Sequence, residues 1–205
     1  MSSVSVTDQA ERVAAHAHRD ELALASCAMA AFVRPRVSSE RVLGWLDDAA
    51  RRVEGTTHLA LRRVISIAEG LGGNVEDYLD PDNSFIDTVI QSRRGIPISL
   101  SIIWIEVGRR AGIEMEGVGL PGHFVVYAGG QMVDPFHYGE AIGFDEAAGL
   151  VAAALGGAPR LDRSWLAPVS SADIVRRVLR NLESIYMERG DPSSLEWVAT
   201  CLEAL

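Results

Sequence analysis

Residues 93–112 read RRGIPISLSIIWIEVGRRAG, and residues 116–136 read EGVGLPGHFVVYAGGQMVDPF. Pro97 suits the first position of a helix, because the hydrogen bond it gives up would be missing there anyway. Behind it, Ile98, Leu100, Ile102, Ile103, Trp104, Ile105 and Val107 fall around nearly the whole circumference of the predicted helix. Such a helix runs through the centre of a core rather than over its surface. After Gly112 the pattern changes to short β-like runs at roughly 116–120, 123–128 and 131–135. Gly129-Gly130 is a two-residue hairpin signal between the last two runs. With those glycines as the loop, Ala128 faces Gln131, Val125 faces Asp134 and His123 faces Phe136. His123 and Asp134 then share one face as diagonal neighbours, within reach of a long side chain or a small rearrangement.

The flanks are helical. From about residue 20 to residue 72, apolar residues recur at three- and four-residue intervals, with breaks at Arg34-Pro35 and Gly55-Thr56 and a glycine-rich end at Gly70, Gly72 and Gly73. Three helices are expected there. DPDNSFIDTVIQSRRG, residues 80–95, reads as a further helix capped by Asn83 or Ser84 and stopped by Gly95. Arg93 and Arg94 at its end suit the negative pole of the helix dipole, which also explains them better than anion binding does. At the other end of the chain, IVRRVLRNLESIYMERG (174–190) is followed by Asp191-Pro192 and a second amphipathic segment. That order resembles one tetratricopeptide hairpin, a unit that normally needs neighbours to cover its apolar face. Three regions are therefore expected: a helical one at 1–75, a mixed core at 76–168 and a helical hairpin at 169–205.

Composition bounds the function. A chain of 205 residues that is 48% hydrophobic and 23% charged can bury a substantial core. Its formal net charge of −9 argues against nucleic-acid binding, which needs a basic face. No apolar run approaches the ~18 residues of a membrane span, and the N-terminus lacks a basic segment followed by an apolar one. A cytoplasmic location is expected, with no membrane partner. Two cysteines, Cys27 and Cys201, make no disulfide framework, and both lie in apolar segments suited to packing. No Cys/His group has zinc-ligand spacing, so neither a metal nor a cofactor is expected.

A His held by an Asp is the orienting half of a nucleophile–base–orienter triad: the carboxylate fixes the tautomer and the imidazole carries the proton. PGHFVVY and VDPF, preceded by DPDNSFID and RRGIPISLS, resemble the SirB-type branch of the transglutaminase-like superfamily, closely over about residues 76–140. The resemblance implies an α+β fold with a papain-like core: a central buried helix on a small antiparallel sheet, between helical N- and C-terminal segments. It also implies a triad in which a cysteine stands at the N-terminus of the central helix, activated by the dipole and the His. His123 and Asp134 match the His and the Asp, while Pro97 occupies the cysteine's position. Ser101, four residues on and on the same helical face, is the hydroxyl nearest that position. Ser99 points about 160° away from it. A bond from Ser101 to the carbonyl one turn back is the ordinary role of such a serine.

Three readings follow. The first is a non-catalytic domain that binds a peptide or protein partner or a small ligand, with His123 and Asp134 kept as binding or structural groups. The second is a hydrolase of altered mechanism that uses His123 and Asp134 with Ser101 or an activated water. The third makes His123 and Asp134 an internal pair that only stabilises the hairpin. Trp104 is expected in the core, and His137-Tyr138 either at the mouth of the site or in a plain loop. Asp82 and Asn83 are explained by capping.

Overall fold

The computed structural model describes residues 5–157 and 161–205. Helices α1 (Val6–His18), α2 (Leu22–Val33), α3 (Ser39–Arg51) and α4 (His58–Arg62, widening into a π-helical turn at Arg63–Ala68) form the first part. Strand β1 (Gly72–Gly73), a 3₁₀ turn (Pro81–Ser84), helix α5 (Ile86–Ser92), strand β2 (Arg94–Gly95) and helix α6 (Pro97–Arg110) follow. Strands β3 (Met115–Val118), β4 (Val125–Ala128), β5 (Gln131–Asp134) and β6 (Glu140–Ala141) precede helix α7 (Phe144–Leu155). A 3₁₀ turn (Arg163–Leu166), strand β7 (Pro168–Val169) and helices α8 (Ser171–Arg189) and α9 (Pro192–Ala204) complete the chain. The architecture is α+β, as expected.

Helix α6 forms where the sequence placed it. Ile96 is extended (φ −94°, ψ 167°), the conformation that a following proline imposes, and Pro97 takes the first helical position. Every residue from Pro97 to Gly108 is buried, Trp104 included. Glu106 remains inside because Arg110 bonds to it one turn on.

Five strands line up as β6-β5-β4-β3-β7 in one antiparallel sheet. The β4–β5 hairpin has the expected register, with Ala128 opposite Gln131 and Val126 opposite Val133. Gly129 and Gly130 both have positive φ (58° and 81°), which the two-residue turn demands. Alternation gives the sheet two apolar faces. Val126, Ala128 and Val133 join the main core with α6, while Val118, Val125 and Met132 pack with Ala147, Ala148 and Val151 of α7.

Three details depart from the sequence reading. Helix α1, inside the expected helical region but upstream of the apolar periodicity that starts near residue 20, is built on an alanine stripe of Ala10, Ala14 and Ala17 with Val13. Alanines give a faint apolar signal but allow close packing against α2 and α9. The helix at 86–92 is capped by neither Asn83 nor Ser84: Phe85 is its N-cap, with no side-chain bond, and Asp80 caps the preceding 3₁₀ turn by accepting from the Asp82 N–H. Nor does Gly95 stop it. Arg93 adopts the left-handed conformation (φ 64°), a strain of about 1–2 kcal/mol. Its guanidinium offsets this by donating to the Ile90 carbonyl (2.6 Å) and pairing with Glu69 (2.7 Å).

One main core draws residues from α1, α2, α3, α6, α8 and α9 as well as from the sheet. Trp197 of α9 stacks on Phe32 of α2, with ring centroids 4.7 Å apart.

Candidate functional site

His123 lies just before β4 rather than on it. Pro121-Gly122 turns the chain, with Gly122 at φ 70° and the His123 N–H bonded to the Leu120 carbonyl (3.2 Å). A side chain at Gly122 would run into Ala154 of α7, so the turn needs glycine twice over. The strand is shorter than expected for that reason, and the turn brings the imidazole directly onto its carboxylate: His123 Nε2 is 2.8 Å from Asp134 Oδ2.

A third group completes the arrangement. His137 Nδ1 is also 2.8 Å from Asp134 Oδ2, and Asp134 Oδ1 accepts the Phe136 N–H at 2.9 Å. The chain curls back after β5 with Tyr138 at φ 56° and the Gly139 N–H on the Asp134 carbonyl (2.8 Å), which returns His137 to the strand end. Asp134 is 1% exposed and His123 9%, whereas the His137 side chain is 55% exposed. Burial alone would raise the Asp134 carboxyl. The hydrogen bonds and charge of His123, then of His137, outweigh it and hold the group below the ordinary aspartate value.

In the neutral form of His123 the ionised Asp134 accepts from Nε2, which leaves Nδ1 with the lone pair. That is the form of a general base. Its backbone is pinned from α8, where Arg177 Nη2 donates to the His123 carbonyl (2.8 Å) and also to the Leu120 carbonyl. Arg177 was missed from sequence; its signal is a basic residue three places after Ile174, on the buried stripe of α8. A metal set was not expected from sequence spacing, yet ligand atoms of His123, Asp134 and His137 all lie within 4.8 Å of one another.

Pro97, buried at the start of α6, offers neither a side-chain nucleophile nor an N–H. Ser101 is fully buried, and its hydroxyl has no hydrogen-bond partner among the described residues. The expected bond to the carbonyl one turn back is therefore absent, and so is any bond to His123 that would activate the hydroxyl. Ser99 is a structural link: its hydroxyl accepts the Ile96 N–H (3.1 Å) and donates to the Asn83 carbonyl (2.6 Å). Burial pushes the Cys27 thiol up to about 11 and the Cys201 thiol up to about 12, away from thiolate character.

Asn83 and Asp82 tie loops rather than cap a helix. The Asn83 side chain donates to the Asp77 carbonyl (2.7 Å) and accepts from Asn74 (2.9 Å), fixing residues 74–83 beside the start of α6. Asp82 pairs with Arg34 (2.8 Å), which also binds Asp87. Around the triplet, the Phe136 ring meets His123 and Tyr78 edge-on at 6.1 and 6.0 Å. Val75, Tyr78, Leu79 and Tyr138 are exposed. A cavity of about 180 Å³ lies between Tyr78, Leu79, Ile96 and Ile185.

A profile described as the transglutaminase-like superfamily matches residues 20–180. The chain belongs to the transglutaminase-like superfamily. It is similar to a UPF0162 protein of Xylella fastidiosa (40% identical over 134 residues, 62% of this chain and 48% of that protein). It is also similar to a UPF0162 protein of Pseudomonas aeruginosa (30% over 149 residues, 72% of this chain and 54% of that protein). F-box only protein 21 of Mus musculus is 37% identical over 70 residues, 32% of this chain and 11% of that protein. The chain thus spans about half the length of the UPF0162 proteins it matches. No solved structure matches it. Among the described residues no helix is long and apolar enough to cross a membrane.

Proposed function

We propose that this chain is a non-catalytic member of the superfamily that serves as a binding or regulatory module for a protein or peptide partner. The observation that carries the reading is Pro97 at the start of the central helix, where the family resemblance places the cysteine, in a chain whose His123 and Asp134 stand in hydrogen-bond contact. A proline ring forms no acyl intermediate. The other candidates lack the required environment: Ser101 is sealed in the core, and Cys27 and Cys201 are buried thiols of raised pKa. Binding is supported by the exposed Val75, Tyr78, Leu79 and Tyr138 and by the small cavity beside Ile96, whose lining mixes Leu79 and Ile185 with Asn181, Ser184 and Glu188. The matched segment of F-box only protein 21 is a small part of a much longer protein, as a module would be. On RRGIPISLS, PGHFVVY and VDPF in order we place the chain in the SirB-type branch, and we read α8–α9 as tetratricopeptide-like. The free, buried thiols suit a reducing cytoplasm.

The test has two arms. Glutamine-containing peptides should release no ammonia above background with either the wild type or His123→Ala, and robust hydrolysis that disappears in His123→Ala would overturn the reading. Partners captured by the wild type should be depleted with Leu79→Asp, and identical partner lists would count against this face. The free Nδ1 of His123 favours one second reading, a base that activates water, and the ammonia assay decides it.

A further inference from the structure

We propose that His123, Asp134 and His137 form a binding site for one divalent transition-metal ion of the zinc class. The donors are His123 Nε2, His137 Nδ1 and Asp134 Oδ2, each nitrogen 2.8 Å from the oxygen and all three atoms within 4.8 Å of one another. Ligand atoms around one zinc stand about 3.3 Å apart, from bonds near 2.0 Å and tetrahedral angles. Each nitrogen–oxygen distance would open by about 0.5 Å, while the two nitrogens, at most 4.8 Å apart, would settle to the same spacing. The group with room to move is His137, whose side chain is 55% exposed, while His123 and Asp134 are held inside.

The donor set selects the ion. Two imidazoles and one carboxylate suit zinc, cobalt or nickel, whereas calcium and magnesium require oxygen. Three protein ligands with a solvent-facing side leave a position open for water or a partner's carboxylate. Supporting bonds are already in place: the Phe136 N–H on Asp134 Oδ1 (2.9 Å) orients the carboxylate, and Arg177 pins the His123 backbone. Proton balance is simple. Each neutral imidazole moves its proton to the other ring nitrogen, His123 to Nδ1 and His137 to Nε2, and presents the vacated lone pair to the ion. From that neutral pair no net proton is released, whereas a protonated imidazole gives up one, and nothing is oxidised or reduced.

The experiment is titration of the chelator-treated full chain with Zn²⁺ by calorimetry, and with Co²⁺ by visible absorption. One equivalent should bind the wild type. His137→Ala should lose at least about tenfold in affinity, and His137→Asn, which keeps a donor for Asp134, should fold normally and lose the ion equally. His58→Ala, at the half-buried start of α4 and outside the donor set, should bind as the wild type does. Absence of binding in the wild type, equal affinity in either His137 variant, or loss in His58→Ala would each overturn the proposal. Metal binding is read directly, so its failure would leave the partner-binding reading standing, and the reverse.

Discussion

Asp134 is the residue on which the site turns, since it accepts from two histidines and a backbone N–H while only 1% exposed. Its carboxyl is held below the ordinary value, so the sign is fixed: the stabilisation is complete above the unfolded value of about 3.9 and is lost as pH falls from there through the lower folded-state value. Asp134→Asn should cost about 1–3 kcal/mol at pH 7 by stranding buried donors. Urea titrations at several pH values should also show a shallower loss of stability in that variant below pH about 4; an unchanged acid limb would refute the assignment. The pairing of His123 with Asp134 was legible in sequence because a Gly-Gly hairpin fixes register. His137 was not, because it reaches the same oxygen through a turn with Tyr138 at φ 56°, and no periodicity marks such a return.

At the scale of elements, the turn before β4 depends on support from two helices. Gly122→Ala should strain that turn and push on Ala154, costing upwards of about 1 kcal/mol. Arg177→Met should leave the His123 carbonyl unpaired, remove one of the two donors to the Leu120 carbonyl, and cost about 1–3 kcal/mol. Amide exchange around residues 120–124 should quicken in both variants, which hydrogen-exchange mass spectrometry can read. Helix α6 was plain in the sequence because proline and an all-round apolar pattern agree. Helix α1 was not, since its buried stripe is mostly alanine, and the end of α5 was hidden because an arginine, rather than a glycine, takes the left-handed position.

Across the whole molecule, the two ends of the chain meet in one core. Trp197 touches Phe32, Phe85 and Tyr186, so α9 completes a cluster begun by α2. Trp197→Ala should cost about 3–5 kcal/mol, and chemical denaturation should follow one transition by both fluorescence and circular dichroism; separate transitions for the C-terminal hairpin would contradict this. Long-range closure of this kind leaves no local mark in sequence, where the hairpin resembles a repeat that needs neighbours without saying which. In the proposed reading the superfamily frame holds His123 and Asp134 but, among the described residues, no activated serine or cysteine beside them. That reading is tested most directly by intact-mass and peptide-mapping mass spectrometry of the native chain after exposure to serine- and thiol-directed electrophiles. No covalent adduct should form on Ser99, Ser101, Cys27 or Cys201, whereas an adduct at any of them that vanishes in His123→Ala would contradict the account.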